Sequence, residues 1–251
     1  MKRNALIAIA GMLSAAITVL AQAPPASKPA AAGPTVDQIL DKYVTALGGR
    51  AAIEKLTSRV AKGVFQAPEQ GAEGTFESYA KAPNMTFSMV DVPGFGQIRQ
   101  GFDGSTAWAD NPQSGPRLLD GQELSSAARS AEFYQAIKLR ALYPKLALKG
   151  KDKVGTQETY VVEGDPGDGT LRRMYFDTAT GLMLRSDIER DGPQGRATFE
   201  SYLDDYKEVD GVKLPFSIRQ VNPNVNFTLK ISKVRHNVPV EDSKFAKPSA
   251  P

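Results

Sequence analysis

The sequence predicts an α+β fold that is mainly β: a strongly curved antiparallel sheet of about eleven strands, with helices covering its concave face. Three observations carry this. From about Thr57 to Val234 the apolar residues recur every second position rather than every third or fourth. Turn sequences punctuate that stretch, at Asp103-Gly104, Asp165-Pro166-Gly167, Thr180-Gly181, Asp191-Gly192-Pro193 and Asp210-Gly211. One helix-forming segment precedes the strands and another interrupts them.

The chain opens on MKRNALIAIAGMLSAAITVLAQA, a basic start, an apolar run from Ala5 to Leu20 and small residues at its end. This is the layout of a secretory signal peptide, residues 1–21, with cleavage after Ala21. The apolar run is shorter than a bilayer-spanning helix needs. Residues 22–34 (QAPPASKPAAAGP) lack periodicity and read as a Pro/Ala-rich linker. The folded domain then occupies residues 35–251, and export places it in the periplasm.

Thr35 and Gln38 have the spacing of a capping box. Val36, Ile39, Leu40, Tyr43, Val44 and Leu47 fall on one face of the helix that follows, and Gly48-Gly49 stops it. RAAIEKL predicts a second, short helix. Strands come next. MTFSM sets Met85, Phe87 and Met89 against Thr86 and Ser88, and LMLRSDIER sets Leu182, Leu184 and Ile188 against Arg185, Asp187 and Glu189. VNFTLKIS sets Val225, Phe227, Leu229 and Ile231 against Asn226, Thr228, Lys230 and Ser232. One wet and one apolar face is the signature of antiparallel strands. The interruption, Gly121 to Pro144, is rich in helix formers and ends at a proline. Helices this short cannot cover so wide a sheet, so part of its apolar face either lines a cavity or fills itself with side chains.

Composition excludes several functions. The 251 residues carry 31 Lys+Arg and 28 Asp+Glu; without Lys2 and Arg3 the balance is 29 against 28, and no basic stripe with interleaved aromatics suggests nucleic acid. There is no cysteine, which rules out disulfides, thiolate catalysis and Cys-ligated zinc. His236 is the only histidine, is expected at a surface or strand edge, and has no partner suggested by spacing. Asp204 and Asp205 are adjacent, so a strand would point them to opposite faces and prevent a shared-proton pair. PGFGQ lacks the third glycine and the helix of a phosphate loop. No catalytic residue, metal site or cofactor is predicted.

Two stretches resemble the periplasmic lipoprotein carriers of the LolA/LolB type. GTFESYAKAPNMTFSM contains Lys81, Pro83 and Asn84 in the family's Lys-x-Pro-Asn pattern. FDGSTAWADNP contains Asp103, Gly104, Thr106 and Trp108 followed by Asn111 and Pro112. The closing VPVEDSKFAKP is similar to the family's last segment. The resemblance implies an unclosed antiparallel β-barrel with a helical lid, holding acyl chains in its concave face. It departs from the family at Ala82, where the carriers have an arginine that helps hold the lid.

The ligand-facing set expected from alternation is Met85, Phe87, Met89, Ile98, Phe176, Leu182, Leu184, Ile188, Phe199, Phe216, Ile218, Phe227 and Leu229. Phe133 and Ile137 read as the underside of a lid or as helix–sheet packing. Trp108 reads first as core behind the Asp-Gly turn, and second as an amphipathic ring at a cavity mouth. Met85 and Met89 suit either core or a surface adapting to variable chains. The expected partners are lipid or lipoprotein acyl chains, with inner- or outer-membrane proteins as further candidates. The competing expectation is an exported sensor or assembly module on the same fold, with a filled core and no lipid cargo.

Overall fold

The computed structural model describes residues 33–192, 195–223 and 225–248. The signal-peptide and linker segments lie outside the described residues, apart from Gly33 and Pro34. Contacts group Pro34–Pro251 as one compact unit.

The first helix, α1 (Val36–Ala46), begins with the expected capping box. The Gln38 amide donates to Thr35 Oγ1 at 3.2 Å, and the Thr35 amide donates to Gln38 Oε1 at 2.9 Å. Helix α2 (Arg50–Glu54) follows after Gly48 and Gly49. Gly48 has φ +117°, and a Cβ there would lie 2.0 Å from the Gly211 carbonyl oxygen. That close approach lets the Lys213 amide donate to the Leu47 carbonyl at 2.8 Å, tying the helices to a distant hairpin.

Six strands come next: β1 (Ser58–Ala67), β2 (Ala72–Lys81), β3 (Met85–Val92), β4 (Gly96–Phe102), β5 (Ala107–Asp110) and β6 (Arg117–Leu118). The predicted interruption is two helices, α3 (Gly121–Ala131) and α4 (Gln135–Leu142). Seven strands complete the chain: β7 (Lys145–Val154), β8 (Gln157–Asp165), β9 (Leu171–Asp177), β10 (Met183–Gly192), β11 (Gly195–Val209), β12 (Val212–Val221) and β13 (Phe227–His236). They form one antiparallel sheet in the order β6-β5-β4-β3-β2-β1-β13-β12-β11-β10-β9-β8-β7. Each half is a meander, and the halves join where β1 pairs with β13. The outer strands β6 and β7 do not pair, so the sheet is an unclosed barrel. The thirteen strands among the described residues exceed the eleven expected, and the two-residue β6 is too short to show alternation. Asp210 (φ +52°) and Gly211 (φ +79°) make the tight β11–β12 turn, both in the left-handed region as a type I′ hairpin requires.

The helices define the inner face. Ile39 and Leu40 of α1 and Leu139 of α4 pack with Tyr143 on Val162, Met174, Phe176 and Met183. Leu124, Ala127 and Ala128 of α3 pack around Phe102, Ala107 and Ala131. Helix α3 also reaches the other half of the sheet, where Arg129 pairs with Asp168 at 2.6 Å. Ala82 carries no such latch; its amide donates to the Thr57 carbonyl.

Two expectations are corrected. Met85, Phe87 and Met89 do share a face, but it is the outer one. Thr86 pairs with Phe102 and Ala80, so Thr86 and Ser88 point inward and the apolar three point away from the helices. The C-terminal segment covers them: Phe245 is fully buried against Phe87 and Trp108, and Met85, Met89, Tyr79 and Val240 pack around. Leu184 does not continue the alternation of Leu182 and Ile188. Met183 pairs with Phe176 and Arg185 with Tyr175, so Leu184 is the extra residue of a β-bulge. Met183 takes the core position instead.

Leu40→Ala should therefore cost about 2–5 kcal/mol of stability, the usual range for a buried leucine. Leu184→Ala, half-buried at the bulge, should cost clearly less. Denaturant unfolding of both variants checks this; equal losses would place Leu184 in the packed core.

Candidate functional site

Two cavities lie between the helices and the inner face, and Arg59 lines both. The larger, about 520 Å³, sits under α3 against the first half of the sheet, with Arg190 of β10 on its wall. Strand β10 lies four strands from β1 in the sheet order, so Arg190 reaches this cavity only because the sheet is curved. Its lining is mixed: Ser78, Thr86, Ser88, Gln100, Ser126 and Ser130 stand beside Ala80, Phe102, Leu119 and Ala127. The smaller, about 300 Å³, lies among α1, α2, α4 and the β11–β12 hairpin. Tyr43, Leu47, Ile53, Leu56, Phe133, Met183, Leu203, Val212 and Leu214 give it apolar walls, interrupted by the polar groups of Arg59, Ser130, Glu132, Gln135, Arg172, Lys213 and His236.

Arg59 opposes Ala80 on one side and His236 on the other, so it points inward with Ala61 and Phe65. Desolvation lowers its pKa from the usual arginine value, and no nearby carboxylate counteracts it. Among the described residues the Arg59 side chain has no hydrogen bond and no ion pair. Arg172 bonds only neutral groups: Ser186 Oγ at 2.8 Å, Gln135 Oε1 at 3.1 Å and the Tyr143 hydroxyl at 3.3 Å. Arg190 stacks over Phe199, 4.4 Å from the ring centre. By contrast, outer-face arginines meet carboxylates: Arg99 with Asp110, Arg173 with Glu163, and Arg185 with Asp187.

His236 is buried rather than at the surface. Its Nδ1 lies 3.0 Å from Asp210 Oδ2. An ionised carboxylate only accepts, so Nδ1 carries the proton and the buried Nε2 is left as an acceptor without a partner. Burial first, and Arg59 second, push the His236 pKa below 6.5, against the opposing pull of Asp210. Burial pushes the Tyr43 phenol up to about 12. No cluster of three or more His, Asp or Glu among the described residues could hold a metal ion.

The expected ligand-facing residues separate into groups. Phe133 lines the smaller cavity, and Ile137 and Leu182 pack into the cluster around it. Phe176 lies inward but is fully buried, its ring 5.1 Å from that of Tyr43. Ile188 borders a small recess with Arg172 and Thr170, opposite Phe199. Phe227 and Leu229 pack with Phe65, Ala67 and Val92 at the end of the inner face away from the helices. Ile218 pairs with Leu229, while Ile98, opposite Val90, is 41% exposed. Phe216 is buried, with the Lys207 ammonium 4.8 Å from its ring centre. Trp108 is core: its indole donates to the Phe245 carbonyl at 2.9 Å, and its ring lies where a Cβ on Gly101 would be. Phe87 and Trp108 touch the larger cavity's wall, but their rings stack on the outer face, 6.0 Å apart.

The residues that sequence reasoning missed are the inner arginines and His236. One signal existed: Arg59 has the same parity as Ala61, Gly63 and Phe65, so the strand that buries them must bury a guanidinium.

No family model matches the chain, and no curated protein matches it significantly. Among solved structures, a DUF1329 family protein from Desulfovibrio piger is similar with a TM-score of 0.56 and 14% identity, over 84% of this chain and 97% of that one. A LolA superfamily protein from Nitrosomonas europaea is similar with a TM-score of 0.54 and 16% identity, over 86% and 99%. A domain named as a candidate outer membrane lipoprotein-sorting protein from Vibrio parahaemolyticus gives 0.53 and 13%, over 82% and 95%. The chain has the LolA/LolB-like fold.

Because the folded pKa of His236 is depressed, the unfolded chain takes up this proton first as pH falls. The stability it contributes is present above 6.5 and is lost below that value. Thermal unfolding between about pH 7 and about pH 5 should show a steeper loss in the wild type than in His236→Gln. Parallel profiles would mean that His236 is free to ionise in the folded protein.

Proposed function

We propose that this chain is an exported, periplasmic binding protein that takes acyl chains of lipids or lipoproteins into the hollow of its inner face. One observation carries the reading. The 300 Å³ cavity is walled mainly by Leu47, Leu56, Phe133, Met183, Val212 and Leu214, and the helices that cover it belong to the same domain. Its size is at the lower end of pockets that hold small ligands. Burial of an alkyl chain there contributes roughly 25 cal/mol per Å² of apolar surface before ordering costs.

The fold supports the same reading. The similar Vibrio domain is named for outer-membrane lipoprotein sorting; a place in that process is the natural physiological setting for an acyl-binding protein of this shape. The polar groups lining the two cavities are arginines, Lys213, hydroxyls, the amides of Gln100 and Gln135, the carboxylates Glu123 and Glu132, and the hydrogen-bonded His236.

Protein purified from an exporting host, extracted with organic solvent and analysed by mass spectrometry, should release acyl species in near-stoichiometric amount. A second arm uses a fluorescent fatty acid, whose emission should change on binding to delipidated protein. Absence of acyl species together with no response to the fluorescent probe would remove the carrier reading and leave an interaction module on the same fold.

A further inference from the structure

Arg59 is half-buried, its side chain lines both cavities, and among the described residues its guanidinium has no hydrogen bond or ion pair. A charge drawn partly out of water is stabilised by an opposite charge within reach. Among the described residues no carboxylate pairs with Arg59, and Arg172 and Arg190, which each line one of its cavities, form no ion pair either, although Glu123 is near enough to Arg190 to feel its charge. The single carboxylate side chain on the wall of the smaller cavity, Glu132, is already engaged by Lys138 at 3.0 Å, and Glu123 of the larger one by Arg117 at 2.7 Å. The lining of the two cavities therefore carries more positive than negative side chains, with Arg59 at the junction of an apolar pocket and a polar one.

Building on the acyl-binding reading, we propose that the two cavities are one site for an anionic single-chain amphiphile, with the alkyl chain in the apolar cavity and the acid headgroup on Arg59. The guanidinium fork matches a carboxylate or a phosphate oxygen pair, which both accept and never donate when ionised. Ser130 borders both cavities and adds a hydroxyl beside Arg59, and Arg190 adds a second positive charge on the polar side. A neutral headgroup would leave the guanidinium as it is in the free protein.

Calorimetric titration of the delipidated protein with dodecanoate, dodecyl phosphate and dodecan-1-ol tests this. The acids should bind roughly ten- to a hundredfold tighter than the alcohol, the range for hydrogen bonds to charged groups. In Arg59→Gln that preference should vanish while dodecan-1-ol still binds. Inorganic phosphate alone should not displace dodecanoate; displacement at equal concentration would make this a free-anion site and overturn the proposal. Acid preference surviving in Arg59→Gln also overturns it. If that variant fails to fold, equal affinities of acid and alcohol for the wild type overturn it without the variant. Equal binding of all three ligands defeats the Arg59 site and leaves the acyl-binding reading standing, whereas binding of none defeats the acyl-binding reading itself.

Discussion

The interior of this protein depends on the ladder between its first and last strands. Arg59 through Gln66 pair with His236 through Thr228, joining two meanders that otherwise share no backbone pairing. Closing so long a stretch of chain costs entropy that local hairpins do not incur. The exit of β13 is clamped accordingly: the Thr57 amide donates to Asn237 Oδ1 at 2.8 Å, and Ser58 Oγ donates to the Val238 carbonyl at 2.6 Å. The same ladder sets Arg59 opposite His236 and sends the residues after His236 onto the outer face, where Phe245 covers Trp108 and Phe87.

That division of labour between faces explains why the inner side can stay hollow. The outer face of β3 and β5 is sealed by the chain's own C-terminal segment, fastened by the Lys81–Asp242 pair at 2.7 Å and by the indole of Trp108. The inner face is covered by short helices attached at separate points. Helix α3 rests on Phe102 and Ala107 and is held across by Arg129 and Asp168. Helix α4 joins α1 through Leu139 and Leu40, and through Arg140 with Asp37 at 2.6 Å. Between these attachments neither helix fills the space above β1, and the two cavities meet there at Arg59.

Much of this architecture was legible in the residues, for reasons that can be stated. Thr35 and Gln38 cap the helix they were expected to cap, and Asp210-Gly211 turns the hairpin it was expected to turn, because both depend on local chemistry. Alternation correctly grouped Phe227 with Leu229 and Met85 with Phe87 and Met89. It could not say which face each group occupies, since period two is the same on both sides of a sheet. The Met85 group was assigned inward because nothing local announces that Phe245, far along the chain, will cover the outside. Leu184 failed for a different reason: a bulge inserts one residue and shifts every later side chain, and its sequence looks like any other strand. Arg59 and His236 were overlooked because a lone charge between Ser58 and Val60, or a lone histidine at a strand end, reads as surface until the long-range pairing is known.

The methionines are placed to report whether ligand enters the inner hollow or a pocket of the outer face. Met183 lines the smaller cavity, whereas Met85 and Met89 lie on the outer face around Phe87 and Trp108. Methyl NMR of ¹³C-methionine-labelled protein, with each signal assigned by a Met→Leu variant, can be followed as dodecanoate is added. The Met183 resonance should move with ligand concentration while those of Met85 and Met89 stay in place. Shifts at Met85 and Met89 with Met183 unmoved would contradict entry into the inner hollow.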